Sequence, residues 1–335
     1  MPFQLPRRLR NQDGETRRLG IELEFAGVDL NSACEAVIDC YGGTEERENR
    51  FLRKIRGARW GDFTVEIDAA LLKDRGYERF LQRLGVNLNE DNRRNRLEDS
   101  LERLAATVVP YEIASPPIPL DEVEAIEQLR ERLRERHALG TSASPLYAFG
   151  LHLNPELPDL ATETILGYLR AFFLLLDWIH ERGDTDVSRR YFTPYIKPFP
   201  DDYQRMVVDP DYRPNQRRLI NDYLESNPTR NRPLDLLPLF RLLDEERLVG
   251  AIDNMAQVKA RPTFHYRLPN CRIDDANWSI GFEWNGWAAV EALADAPELL
   301  QAMSRAYLER RREPFAGHDE NWAAETPAWL EKLDH

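Results

Sequence analysis

The chain has 335 residues, 42% hydrophobic and 31% charged, enough apolar material for a sizeable core, which excludes an intrinsically disordered chain. Lys and Arg number 45 against 58 Asp and Glu, giving a net charge of −13. That balance argues against a large nucleic-acid footprint and leaves room only for a local basic pocket.

In chain order, residues 18–26 read as a strand, with Leu19, Ile21, Leu23 and Phe25 alternating with Arg18, Gly20, Glu22 and Glu24. Residues 31–41 read as a helix that Gly42-Gly43 stops, and 51–56 and 59–68 as two strands around Gly57. A charged amphipathic helix over 91–107 leads to a strand over 108–114, ended by Ser115-Pro116-Pro117. Asp121 is expected to cap a helix reaching about Arg136, with Val123, Ile126, Leu129 and Leu133 on one face.

A loop over 140–145 precedes a strand over 146–153 that ends at Asn154-Pro155. Residues 160–181 form the most apolar helix, expected at the centre of the core, and 183–214 read as a long irregular segment. Helices follow over 215–225 and 234–256, then strands over 263–273 and 278–284, then helices to the end. Strands interleaved with helices of uneven length, without a βαβ period, predict an α+β fold with a largely antiparallel sheet. The expectation is a single domain over 1–335 with a C-terminal helical extension over about 288–335.

The longest apolar stretch, 169–179, is broken by Arg170 and Asp177 and is too short for a bilayer, and residues 1–20 are charged with no apolar signal core. Cys34, Cys40 and Cys271 form no Cys-x-x-Cys pair, which fits a reducing compartment and buried apolar roles. A cytoplasmic protein with no membrane and no nucleic-acid partner is expected; the sequence leaves the oligomeric state open.

Residues two apart on a strand share a face, so Glu22 and Glu24 project together, opposite the apolar side. A divalent cation stabilises such a pair, and Mg²⁺ takes oxygen ligands. Asp68 and Glu112 lie on other strands, and His152 and Asn154 end a third, again two apart. If those strands share a sheet, these polar groups converge. Each also has a structural reading: a solvated face for the glutamates, a helix cap for Asp68, an edge charge for Glu112, a hydrogen-bonded core imidazole for His152.

These segments resemble the amidoligase family, within the glutamine synthetase and glutamate–cysteine ligase group of carboxylate–amine ligases. The resemblance is carried in order by Gly20-Ile21-Glu22-Leu23-Glu24-Phe25, Val65-Glu66-Ile67-Asp68, Tyr111-Glu112-Ile113-Ala114-Ser115-Pro116-Pro117, Gly150-Leu151-His152-Leu153-Asn154 and Tyr195-Ile196-Lys197-Pro198, over roughly residues 18 to 270. It implies a curved antiparallel sheet of the glutamine synthetase type that forms an active-site funnel. It also implies ATP, two or more Mg²⁺ ions, and an amide or isopeptide bond made through an acyl phosphate. On that pattern Glu22, Glu24 and Glu112 bind metal, as would Asp68 and, at the position of a family glutamate, His265. His152 and Asn154 would lie near the nucleotide phosphates or a metal. Arg190, Tyr195 and Lys197 would contact substrate or phosphate. Two departures stand out: Asp68 is followed by Ala69-Ala70 where the family has Gly-Ser, and Phe264-His265-Tyr266-Arg267 puts a histidine in place of the glutamate of Glu-Phe-Arg. Imidazole suits transition metals better than Mg²⁺.

Joining a carboxylate to an amine requires the carboxylate oxygen to become a leaving group, and phosphorylation by ATP does this. Phosphoryl transfer depends on positioning and on neutralising phosphate charge. The acids would hold metal; Lys197, Arg261 and Arg267 would supply the positive side, with Arg267, Lys197 and Arg190 as catalytic candidates and His152, Asn154, Lys197 and Arg261 as nucleotide-binding ones. Surface charge or pairing with acids is the alternative for the arginines. The chain has no phosphate loop, no Gly-x-Gly-x-x-Gly after a strand, no His-Glu-x-x-His and no Gly-x-Ser-x-Gly elbow. The expected activity is an ATP-dependent ligase acting on a small-molecule or peptide carboxylate and an amine, with ammonia from a partner glutaminase as one option. A non-catalytic binding or scaffold protein with a drifted site, and a divalent-metal hydrolase, are the competing readings.

Overall fold

The computed structural model describes residues 1–67, 111–143, 149–183, 196–252, 255, 258–311 and 320–333. The expected first strand forms as β1 (Arg18–Phe25), its odd-numbered residues Leu19 to Phe25 buried and its even-numbered ones half-buried or exposed. Helix α1 (Leu30–Tyr41) begins where the Asp29 side chain accepts from the Asn31 and Ser32 N–H groups. It stops at Gly42, φ 72°, a positive φ that glycine adopts without steric cost. Strands β2 (Thr44–Arg47), β3 (Leu52–Ala58) and β4 (Gly61–Ile67) follow. The β3–β4 turn falls at Arg59-Trp60 rather than at Gly57, which lies inside β3, at φ 68°, where the register shifts between Ile55 and Ala58.

Next come β5 (Tyr111–Ala114), β6 (Ile118–Pro119), a 3₁₀ turn over Val123–Ile126 and α2 (Glu127–Glu135). The expected apolar face is buried at Val123, Ile126, Leu129 and Leu133. Asp121 is not the cap: Glu122 holds that position, with no side-chain cap bond. Strand β7 (Leu151–Pro155) is buried along its whole length, and α3 (Thr162–Arg182) has Leu169 and the run from Ala171 to Asp177 buried.

Four expectations from the second half need correction. Residues 183–214 include a helix, α4 (Asp201–Val208). After α5 (Gln216–Ser226), the expected long helix is instead a strand, β8 (Leu234–Asp235), and two short helices, α6 (Leu237–Leu243) and α7 (Glu245–Leu248). Pro238 fits only the first turn of a helix, so α6 starts there, and the Asp244 side chain caps α7. The strand expected over 263–273 is regular only as β9 (His265–Tyr266), and the one expected over 278–284 is the start of helix α8 (Ile280–Ala294), capped by the Ser279 hydroxyl on the Phe282 N–H. Helices α9 (Pro297–Arg310) and α10 (Glu320–Leu330) complete the chain. The helix expected over 91–107 lies outside the described residues.

Among the described residues the strands form one open nine-stranded sheet in the order β2-β3-β4-β5-β1-β7-β9-β8, with β6 beside β1 and every pairing antiparallel. The registers align Val65, Ile113, Leu23 and Leu151 in one apolar row. Helix α1 covers this face at one end, where Tyr41 stacks on Phe63 at 5.3 Å. Helices α3 and α8 cover it at the other, through Phe172 and Trp287 against Tyr266. The core therefore fills the helical side, and the other side carries the polar residues. No helix among the described residues is long and apolar enough to cross a membrane.

Candidate active site

Alternation fixes what the second face presents. Glu24 pairs with Glu112, and Glu112 with Glu66, so three carboxylates form a row across β1, β5 and β4. Side chains at such directly opposed positions have Cβ atoms about 4.5–5.5 Å apart, and like charges there repel unless a cation intervenes. The next positions toward β8 bring Glu22 opposite His152, Gly20 opposite Asn154, and Asp235 opposite His265. Gly20 leaves room for its neighbour: a Cβ there would stand 3.4 Å from that of Asn154.

Hydrogen bonds tie these groups together. His152 Nδ1 is 3.1 Å from Glu22 Oε2 and its Nε2 is 3.5 Å from Glu24 Oε1. The Gly150 N–H donates to Glu24 Oε2 at 2.6 Å. Asn154 Nδ2 donates to Glu22 Oε1 at 2.9 Å, and its Oδ1 accepts from Arg261 Nη2 at 2.7 Å. Carboxylates only accept and guanidinium only donates, so the Asn154 amide has one orientation. His265 Nδ1, 2.7 Å from the same Oδ1, must then be the protonated nitrogen. The two imidazoles meet edge to face, ring centres 5.1 Å apart.

The electrostatics follow from burial and neighbours. Burial opposes ionisation of Glu22, but the hydrogen bond to His152 and the Arg261 guanidinium, 3.9 Å away, outweigh it and hold the carboxyl well below its ordinary range. Burial keeps His265 uncharged, its pKa far below that of free imidazole; Glu22 opposes this, and His152, Arg267 and Arg261 reinforce it. Asp235, 1% exposed, is pushed up to about 6 by burial, against the Leu237 N–H, Arg267, Arg230 and Arg261.

The structure brings together Glu22, Glu24, Glu112, His152, Asn154, Arg261 and His265 from the sequence-based set. Arg267, half-buried, donates through Nη1 to the Arg230 carbonyl at 3.0 Å and acts electrostatically on His265 and Asp235. Lys197 is exposed, held by its backbone N–H on the Asn231 carbonyl at 2.6 Å, and no side-chain bond joins it to the cluster among the described residues. Asp68, Ala69, Ala70, Arg190 and Tyr195 lie outside the described residues. Glu66 and Asp235 were missed. Alternation along Val65-Glu66-Ile67 carried the signal for Glu66; Asp235 had none, because its surroundings read as a helix. Cys34 is buried, which pushes its thiol up to about 12 and leaves it inert as a nucleophile.

Two donor sets follow. The Glu24–Glu112–Glu66 row offers oxygen donors alone, the ligand type that Mg²⁺ takes. The second, Glu22, His152 and His265, places one ligand atom from each within 4.8 Å of the others and offers two nitrogens to one carboxylate, which does not fit Mg²⁺.

No curated protein and no solved structure matches the chain. Residues 15–289, which hold every member of both donor sets, match the model of the family described as "Putative amidoligase enzyme", and the chain belongs to that family.

Proposed function

We propose that this protein is an ATP-dependent carboxylate–amine ligase on a glutamine synthetase-like sheet. The observation that carries the reading is the row Glu24–Glu112–Glu66 on the face opposite the core, flanked by His152, Asn154 and Arg261. Bound Mg²⁺ would offset the negative charge of the nucleotide phosphates. The three glutamates would hold it, with Glu24 fixed in place by the Gly150 N–H and His152. Arg261, positioned through Asn154, carries positive charge beside the acids and would add to the neutralisation of a phosphate there. A substrate carboxylate oxygen attacks the γ-phosphorus, the bond to ADP breaks, and the amine then displaces phosphate from the acyl carbon and loses a proton. Preformed side chains lower the cost of assembling charge around that transfer.

The test is the melting temperature with and without Mg²⁺·ATP, for wild type and for Glu24→Gln/Glu112→Gln. A ligand that binds only folded protein stabilises it by about 2.7 kcal/mol at a hundredfold excess over Kd. The expected result is a rise in wild type that the double variant loses, followed by ADP release that depends on a carboxylate and an amine. No rise at saturating Mg²⁺·ATP, with the protein folded, overturns the ligase and favours a non-catalytic binding protein.

A further inference from the structure

Glu22, His152 and His265 come from three adjacent strands, β1, β7 and β9, and present one ligand atom each within 4.8 Å of one another. Both imidazoles are buried, and the carboxylate is mostly so. His265 has the outer contact that a metal-binding imidazole normally has, one ring nitrogen bonded to an oxygen that fixes the ring. His265 gives its Nδ1 proton to Asn154 Oδ1, which leaves the lone pair on Nε2. Asn154 also steadies Glu22, so one amide orients two of the three ligands. Arg261 completes that frame through its bond to the same amide oxygen.

Carboxylate and water oxygens suit Mg²⁺, whereas imidazole favours first-row transition metals, and two histidines with one carboxylate leave positions open on such an ion. We infer that Glu22, His152 and His265 form a site for a first-row transition-metal dication, separate in donor chemistry from the oxygen-only row. Donors on one such ion stand at most about 4 Å apart, so binding draws the three inward by small side-chain rotations. The inference deepens the ligase reading, because Glu22 and His265 stand where the resemblance puts metal ligands, but its test needs no ligase activity: the triad would bind the ion in the absence of any nucleotide.

The test uses the full chain, stripped with chelator and titrated with Co²⁺ alone, without ATP. The expected result is a visible absorption band that saturates at one ion per chain and withstands a thousandfold excess of Mg²⁺. With Cu²⁺ as the probe, electron paramagnetic resonance of the wild type is expected to show coupling to imidazole nitrogen, a readout that needs no variant. His265→Glu should weaken Co²⁺ binding and strengthen Mg²⁺ binding, because a carboxylate replaces the imidazole that favours the transition metal. Displacement of Co²⁺ by comparable Mg²⁺, or the absence of nitrogen coupling, overturns the site, as does unchanged Co²⁺ affinity in folded His265→Glu and His152→Ala. None of these outcomes bears on the ligase, which is judged by Mg²⁺·ATP and by Glu24 and Glu112.

Discussion

Glu22 and His152 face each other across the β1–β7 pair, with Oε2 3.1 Å from Nδ1. The other carboxylate oxygen takes the Asn154 amide at 2.9 Å, so both oxygens of this mostly buried group are engaged within the sheet face. Replacing Glu22 separates its structural from its chemical contribution. Glu22→Ala leaves the Asn154 amide and an imidazole nitrogen without their acceptor, a loss of about 1–3 kcal/mol in urea denaturation. Glu22→Gln keeps the shape and one acceptor, so less than half of that loss is expected. Equal losses in the two variants would show that the negative charge itself holds the cluster together.

Asn154 joins three partners, accepting from Arg261 and His265 and donating to Glu22. Asn154→Leu fills similar volume and removes all three bonds. Metal affinity at the triad is expected to fall by about 10–100-fold, the usual effect of losing an outer-shell partner. Calorimetric titration with Co²⁺ measures it. An unchanged affinity would mean that the imidazole and carboxylate orientations are fixed by packing alone.

How much of this was legible in the sequence differs by element. On β1 the apolar and polar positions alternate without a break, so its two faces, and the placing of Glu22 and Glu24, could be read directly. The convergence with Glu112, His152 and Asn154 depended on strand order, which a linear sequence does not contain; there the resemblance supplied the grouping. Around Trp278 alternation misled. Trp278, Ile280, Phe282 and Trp284 alternate over too short a window to separate period 2 from a helix that is apolar nearly all round, and the Ser279 cap decides for the helix. Residues 234–236 failed for the opposite reason. A two-residue strand has no period, and Leu234 and Asp235 are strand only because β9 pairs with them.

Arg17 and Glu291 form a two-point ion pair at 2.8 and 2.7 Å with both side chains buried, linking the start of β1 to α8. Glu291 also accepts from Trp287 Nε1 at 2.8 Å and Tyr168 OH at 3.3 Å, and Arg17 donates to the Arg8 and Glu156 carbonyls. Arg17→Met strands a buried carboxylate and is expected to cost about 3–5 kcal/mol. Arg17→Met/Glu291→Leu removes both charges and recovers part of this. Recovery stays incomplete because the tryptophan and tyrosine donors then lack an acceptor, at about 1–3 kcal/mol each. Denaturant unfolding of the four species in this cycle measures the coupling. A double variant no more stable than Arg17→Met would place the stability in those two hydrogen bonds rather than in the ion pair.

Asp235 gives stability a pH dependence of definite sign. Burial raises its carboxyl from 3.8 to about 6 in the folded protein, although the Leu237 N–H and Arg267, Arg230 and Arg261 favour the ionised form. Between those two values the folded chain binds a proton that the unfolded chain has released, so this group's contribution falls as pH rises through that interval. Below the interval both states are protonated; above it both are ionised and the full penalty stands. About two pH units at 1.36 kcal/mol each give roughly 3 kcal/mol. Asp235→Asn keeps the oxygen that accepts from Leu237 at 2.9 Å and cannot ionise. Urea unfolding in chelator from pH 4 to 8 is therefore expected to show the variant gaining on wild type up to about pH 6 and holding a constant lead above it. A difference that does not change with pH would mean that Asp235 is ionised across the whole range, with the three arginines outweighing its burial.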